Sequence, residues 1–287
     1  MRKLMMLTLL SLVWLMVPLT ETARAQFLKS PYFEKVKRGE PLIIALHAES
    51  PPFCLVNEAG IPHGIDVEIA NRLAEVLGAR ITFVYPKFKD ILDGVADGTI
   101  DLAISNMTIT VERATRVAFS HSYLDISQGV LLDRRYIPRQ IIEGKVMDVP
   151  IKNYDDLEKI PGLIYGTWGH STSADNVLSK TSNVNHHIYA DIIETRAALH
   201  DGKINVMVAD SPIIEFISNH FSDDRKRFKA LVQSRNKERL AIAMRMGDPS
   251  FVEFLNEVVD ELRADGTLDS WAEKYIEDTS WAGEVLR

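Results

Sequence analysis

Cysteine is nearly absent from this chain: Cys54 is the single thiol among 287 residues. No intramolecular disulfide can form, so the fold must be held together by burial alone. Cys54 sits between Phe53 and Leu55, where the expected role is a small core residue rather than a reactive thiol. Beyond the N-terminus, no segment approaches the roughly 20 apolar residues that a membrane helix needs. Basic runs with interleaved aromatics are missing, and a formal net charge of -7 argues against a nucleic-acid partner. Metal-ligand spacing is missing as well. His186 and His187 are adjacent, so a strand would send their imidazoles to opposite faces, and neither metal nor other cofactor is expected.

What is present begins with Met1-Arg2-Lys3, an apolar stretch from Leu4 to about Leu19, and Ala23-Arg24-Ala25. A basic start, a short apolar region and a small-x-small site predict a secretory signal peptide over 1–25, cleaved after Ala25. A membrane anchor is the alternative, but the stretch is short and holds Pro18 near its end. A soluble, periplasmic product of about 260 residues follows, enough for one large domain or two modest ones.

From Pro41 onward, short apolar runs alternate with amphipathic patterns, which predicts an α/β fold. Leu42 to Leu46, Ile81 to Val84 and Ile100 to Ile104 read as strands. Between them lie helices from Asp66, as N-cap, to Gly78, and from Asp90 to Ala96. A second set repeats this in kind: strands at Gly129 to Leu132, Leu163 to Gly166, Val206 to Ala209 and Leu240 to Met244. Helices are expected at Tyr154 to Lys159, from about Ser173, at Ile192 to His200, after Ser211-Pro212, from Asp248-Pro249 to Gly266, and at Leu268 to Tyr275. The expectation is two lobes with two hinge strands near Tyr123–Ser127 and Lys237–Ala241. Lobe 1 would hold 26–124 and 241–287, and lobe 2 would hold 125–240; one larger sheet is the alternative.

Three places carry candidate chemistry. Thr108 to Arg113 follows a strand at its C-terminal end, where open α/β sheets bind ligands. Thr110 can cap a short helix, and Thr108 with the planar fork of Arg113 could clamp a carboxylate. On spacing alone, Arg113 could equally be a surface arginine like Arg116. Asp210 ends another strand before a helix, where it could cap that helix or pair with a ligand ammonium group. Gly169-His170-Ser171-Thr172-Ser173 is a polar loop whose amides, at a helix start, could receive an anion.

The chain resembles the bacterial extracellular solute-binding proteins of family 3, the polar amino-acid receptors of ABC importers. The segments that carry the resemblance run in order. They are Pro51-Pro52-Phe53, Gly64-Ile65-Asp66-Val67-Glu68, Gly98-Thr99-Ile100-Asp101, Met107-Thr108-Ile109-Thr110 with Arg113, Phe119-Ser120-His121-Ser122-Tyr123, Val208-Ala209-Asp210 and Ala264-Asp265-Gly266-Thr267. The resemblance implies a two-lobed periplasmic-binding-protein fold of type II that closes on its ligand. It implies that Thr108, Arg113 and Ser171 hold an α-carboxylate, that Asp210 holds an α-ammonium, and that Phe88 packs on the ligand side chain. An inner-membrane ABC permease is the implied partner, and the receptor is expected to be a monomer and not an enzyme.

The chain departs from the family at Ser50, where most relatives carry an aromatic, and at His47, where several carry an acidic residue. Asn106 replaces the usual glycine. These positions, with Glu49, Trp168 and His170, are candidates to line the side-chain pocket, or else stand at its rim. Two alternatives use the same fold. One is a cyclohexadienyl-dehydratase-like enzyme, with Glu49 or His170 as its acid. The other is a periplasmic accessory or sensor protein.

Overall fold

The computed structural model describes residues 30–143, 145–180, 185–232, 237–278 and 280–285. The signal-peptide expectation for 1–25 lies outside them. In chain order the first elements are α1 (Pro31–Lys37), β1 (Leu42–Ala45), β2 (Leu55–Val56), β3 (Pro62–His63), α2 (Ile65–Leu77), β4 (Ile81–Val84), α3 (Phe88–Asp97), β5 (Leu102–Ala103) and α4 (Val111–Ala114). The long strand β6 (Ala118–Asp133) follows, then the hairpin β7 (Arg139–Ile142) and β8 (Lys145–Asp148) and a 3-10 turn at Tyr154–Lys159. Next come β9 (Ile164–Trp168), α5 (Thr172–Lys180), β10 (Asn185–Tyr189), α6 (Ile192–His200), β11 (Val206–Asp210), α7 (Ser211–His220) and α8 (Ser222–Arg227). The chain continues through β12 (Phe228–Leu231), β13 (Lys237–Met244), α9 (Pro249–Ala264), α10 (Thr267–Ala272), a wider turn at Glu273–Glu277, and α11 (Ser280–Val285).

Parallel pairing joins β1 to β4 and β5 in one group, and β9 to β10 and β11 in another. Strands β6 and β13 connect the two groups. The first part of β6 pairs antiparallel with β13, from Ala118↔Met244 to Ser127↔Lys237. Its second part pairs with β11, from Gln128↔Asp210 to Leu132↔Val206, and also with β12. The register along β13 slips where Leu240 faces Leu124 and Ala241 faces Ser122, which leaves Tyr123 as the extra residue of a bulge. Apolar side chains cover both faces of each group: Ile44, Ile69 and Leu73 pack on one side of the first, Ile91 and Val95 on the other.

Local chemistry explains most helix ends. Gly78 closes α2 in the left-handed conformation, its N–H reaching the carbonyls of Ala74 and Glu75. Asp191 and Asp248 cap α6 and α9 through the backbone N–H of Glu194 and Phe251. Asp66 does not cap α2. Gly64 takes that position at φ 137°, and Asp66 is the second residue of the helix, fully buried. A methyl group on Gly64 would overlap the Phe53 carbonyl oxygen, in a backbone region L-residues rarely adopt. Gly64→Ala is therefore expected to cost at least about 2 kcal/mol, read as a lower urea midpoint at unchanged m-value.

Several boundaries differ from the sequence reading. The strand expected at Gly129–Leu132 is the end of β6, which is sixteen residues long. Helix α3 begins at Phe88 rather than Asp90, and the strand expected over Ile100–Ile104 is ladder-paired only at Leu102–Ala103. The β7–β8 hairpin and strands β10 and β12 were not expected.

Candidate functional site

The loop after β5 is tied down at several points. Ser105 Oγ donates to the Ala45 carbonyl at 2.9 Å, and the Asn106 N–H donates to Asp66 Oδ2 at 2.7 Å. Asn106 adopts φ 41°, the left-handed region where glycine is least strained. The loop then runs onto β13. Ala241 N–H donates to the Met107 carbonyl at 3.1 Å, and Ile109 N–H to the Arg239 carbonyl at 2.8 Å. Thr108 is thereby held against the connecting strand, and its Oγ1 donates to Glu238 Oε2 at 3.1 Å.

Thr110 caps α4 as expected, accepting from the Arg113 N–H at 3.1 Å. Arg113 is half-buried, unlike the exposed Arg116, which pairs with Asp93. Its guanidinium donates to the Thr108 carbonyl at 2.9 Å and to the His170 carbonyl at 3.2 Å, and lies 5.6 Å from the Phe88 ring centre. Burial pulls its pKa below the ordinary arginine value, against the carboxylates of Asp210, Asp175 and Glu238.

Asp210 occupies the N-cap position of α7, yet its side chain makes no capping bond. The helix-cap alternative for this carboxylate does not hold. It accepts instead from Gln128 Nε2 at 3.0 Å and Asn106 Nδ2 at 3.4 Å, both neutral amides, and is 3% exposed. Burial, then the charge of Glu238, pushes its pKa up to about 7. Gln128 is the junction. Its Oε1 accepts from Ser173 Oγ at 2.6 Å, and its Nε2 also donates to Glu238 Oε1 at 2.8 Å. Asn176 Nδ2 adds a third donor to Glu238 at 2.9 Å.

Ser171 is buried, but its hydroxyl serves the start of α5, donating to the Trp168 carbonyl at 2.7 Å and accepting from Ala174 N–H at 3.2 Å. Its hydroxyl is thus engaged in shaping the loop. His170 is exposed at φ 62°, and its carbonyl is what reaches Arg113. Glu49 is exposed too, so both are rim residues. His47, Ser50 and Trp168 are buried instead of lying at a rim. The His47 ring sits 5.0 Å from Phe88, and burial pulls its pKa down to about 4, with Asn106 and Asp191 opposing. Among the described residues, His47 Nδ1, Ser50 Oγ, Asn106 Oδ1 and Trp168 Nε1 are buried without a hydrogen-bond partner of normal geometry. Unpaired polar atoms of this kind are costly in a core and suit a surface that meets a polar ligand. Two cavities open beside Arg113 and Thr108. One, of about 320 Å³, is lined by Phe88, Met107, Arg113 and His170; the other, of about 500 Å³, by Thr108, Asp175, Asn176 and Glu238.

Gln128, Glu238 and Asn176 escaped the sequence reading, and Ser173 was read only as part of the polar loop before α5. Gln128 leaves a faint signal, a polar residue at the head of the apolar run Gly129-Val130-Leu131-Leu132. Glu238 leaves none, since Lys237-Glu238-Arg239 reads as a solvated charge run.

Asp66 supports this region from below, accepting from Tyr123 Oη at 2.8 Å as well as from Asn106. Burial raises its pKa from the usual carboxylate range to about 7. A carboxylate raised in the folded state adds stability that is complete below the unfolded pKa of about 4 and is lost as pH rises through 7. Asp210 acts with the same sign. Stability is expected to fall between about pH 4 and pH 7 and to level off above, and Asp66→Asn should flatten part of that fall in melting curves taken across this range.

The chain is similar to several known proteins. The chain is 27% identical over 242 residues to a probable histidine-binding protein of Neisseria gonorrhoeae, covering 83% of this chain and 84% of that one. It is 26% identical over 243 residues to the L-cystine-binding protein TcyJ of Escherichia coli K12, covering 84% and 85%. Among solved structures it resembles a putative ABC-transporter binding component from Wolinella succinogenes complexed with lysine, at TM-score 0.74 and 26% identity, over 86% of this chain and 99% of that one. It also resembles an ancestral amino acid-binding protein, a precursor of cyclohexadienyl dehydratase, at TM-score 0.72 and 26% identity, over 86% and 100%. The fold is the two-lobed periplasmic-binding-protein type, with β6 and β13 as the strands that join its halves. Residues 42–278 match the family as a whole, and the chain belongs to the bacterial extracellular solute-binding proteins, family 3.

Proposed function

We propose that this protein is a periplasmic receptor that closes on an amino acid or related small carboxylate and delivers it to an ABC importer. Lobe 1 comprises 26–124 and 241–287, lobe 2 comprises 125–240, and residues 1–25 are the export signal. One observation carries the reading: Arg113 and Asp210, opposite charges from different strand groups, lie within electrostatic reach of each other without pairing. Arg113 donates to two carbonyls, and Asp210 accepts from two neutral amides. A zwitterion supplies each with its missing partner, its carboxylate on Arg113 and Thr108 and its ammonium on Asp210. The backbone N–H of Ser171 adds to the carboxylate subsite. Phe88 packs on the ligand side chain, and His47, Ser50, Asn106 and Trp168 line its surroundings, with His170 at the mouth. Closure follows because only there do both charges meet one ligand.

A thermal-shift screen of the refolded protein tests this directly. Ligand at about 100 times its dissociation constant adds about 2.7 kcal/mol, enough to raise the melting point by several degrees. A shift with one class of α-amino acid supports the receptor. A shift with prephenate, and none with any zwitterion, would overturn it in favour of dehydratase-like chemistry.

A further inference from the structure

The hairpin of β7 and β8 springs from the end of β6 that lies beyond the proposed clamp. Strand β6 passes the site at Gln128 and runs on to Asp133, about 16 Å farther along an extended chain. A 3-10 turn at Arg134–Tyr136 follows, and the hairpin leaves from there. Its base is anchored: Ile137 before it and Ile151 after it are buried in one cluster with Leu132, Val206 and Leu231. Past the base it stands alone. Among the described residues, β7 and β8 pair only with each other.

The exposed part of this hairpin is apolar. Ile141 is 75% exposed, Val146 65%, Met147 50% and Ile142 43%. Single exposed apolar residues are ordinary, but these four are neighbours on one short ladder. The register sets Ile141 opposite Val146, so these two share one face. Met147 stands opposite Gln140 and Ile142 opposite Lys145, which puts Met147 and Ile142 on the other face. A two-stranded hairpin with both faces in water is marginal by itself. A flat protein partner covers one face only, and pairing with a second copy along a strand edge covers neither. A fluid layer closes around both.

Charge points to the kind of layer. From Arg134 to Asp148 the cations are Arg134, Arg135, Arg139 and Lys145, against Glu143 and Asp148, and all of them are exposed. Asp148 is 3.6 Å from Arg139. Arg227 comes in beside Arg135, and both reach the buried Asp133, at 3.6 Å and 2.6 Å. The segment is thus basic in a chain whose formal net charge is -7. The acidic stretch from Asp155 to Glu158 comes after the buried Ile151, on the turn that Tyr154 and Leu157 hold against the cluster. Apolar side chains flanked by cations match a bilayer with anionic headgroups. The apolar part sits at the acyl boundary, and the cations meet headgroup charge.

We propose that this hairpin is a membrane-contact element, which inserts Ile141, Ile142, Val146 and Met147 into the interface of a bilayer containing anionic phospholipid. The proposal goes beyond the receptor reading and uses no residue of the clamp. The base stays packed in the core while the tip is in lipid, so contact requires no change at Arg113 or Asp210.

Flotation with vesicles tests it, using the exported protein, residues 26–287, so that the apolar stretch near the N-terminus plays no part. Vesicles of phosphatidylcholine and phosphatidylglycerol at about 3:1 should bind about tenfold more protein than phosphatidylcholine alone, and less as salt is added. Ile141→Ser and Met147→Ser, one on each face, should each lower binding severalfold, and together abolish it. Lys145→Glu should remove the preference for anionic vesicles while leaving the apolar residues in place. These positions are exposed, so the melting point should stay within a few degrees of the wild type in each variant. Absence of flotation, or flotation that neither serine substitution changes, would overturn the proposal. So would equal binding to the two kinds of vesicle. A loss confined to Ile141→Ser would overturn it in favour of a partner seated on one face. A dimer in sedimentation velocity that Ile141→Ser dissolves, without binding to vesicles, would overturn it in favour of a second copy of this chain.

Discussion

Arg113→Ala is expected to weaken ligand binding by a hundredfold or more while leaving the protein folded. The guanidinium, held against the Thr108 carbonyl, offers a planar, permanently charged fork that can take both oxygens of a carboxylate. Truncating one partner of a desolvated charge pair costs about 3–5 kcal/mol of binding, which is two to three or more decades in affinity. The fold has much less at stake. Arg113 contributes two hydrogen bonds to carbonyls at the cleft, those of Thr108 and His170, and lies outside the buried apolar clusters. The melting point without ligand should move by a few degrees at most. Arg113→Lys keeps the charge but not the fork and should recover only part of the loss. Titration of the ligand found by thermal shift measures all three proteins, and an unchanged affinity in Arg113→Ala would sink the carboxylate assignment.

The second large effect concerns Asp210 and protons. Its carboxyl is pushed up to about 7, so near neutrality it is about half protonated until an ammonium group arrives. The ligand ammonium pairs only with the ionised form. Affinity should therefore be full above pH 7 and fall about tenfold for each pH unit below it, with proton release on binding near pH 7. Besides Glu238, which shares the Gln128 amide with Asp210, two other acid–base groups face this region. Asp66, also raised to about 7, is bonded to Tyr123 and Asn106, and His47, lowered to about 4, is neutral throughout the window. Asp66 affects folding at these pH values, so it enters the melting curve more than the binding curve. Asp210→Asn should lower affinity for amino acids by tenfold or more and flatten the pH dependence, yet spare ligands without an ammonium group. Calorimetry in buffers of different ionisation enthalpy reads the proton release. Release that persists in Asp210→Asn would assign the proton elsewhere.

The same two residues mark how far the sequence could be read. Arg113 and Thr108 could be picked out together because their contact is local: they stand five positions apart, and Thr110 caps the turn between. Gly78 and Asp248 were legible for the same reason, since a helix end is decided within a turn of chain. Asp210 was legible as a strand end, but not as a buried acceptor. The choice between cap and cleft depends on Gln128 and Asn106, which stand 82 and 104 positions away. Asp66 was misread by the same limit. It resembles a cap beside Gly64, and only Tyr123, 57 positions on, shows that it points inward.

The long strand β6 shows the limit at the level of the fold. Its second half is continuously apolar from Val130 to Leu132 and was recognised. Its first half, Ser120-His121-Ser122-Tyr123-Leu124-Asp125, mixes polar and apolar residues and owes its strand conformation to pairing with β13. Pairing of that kind joins segments more than a hundred residues apart and leaves no period in either one. By itself, the sequence determined the α/β class, the family, and the charged residues on which the proposed zwitterion site rests, because apolar periodicity and local caps are written in neighbouring residues. Only the tertiary structure decided that Gln128 couples Asp210 to Glu238, that His47 and Ser50 are buried, and that a carboxylate from the connecting strand faces the cleft. Those facts depend on which distant side chains share a volume closed to water, and no stretch of chain encodes its own surroundings.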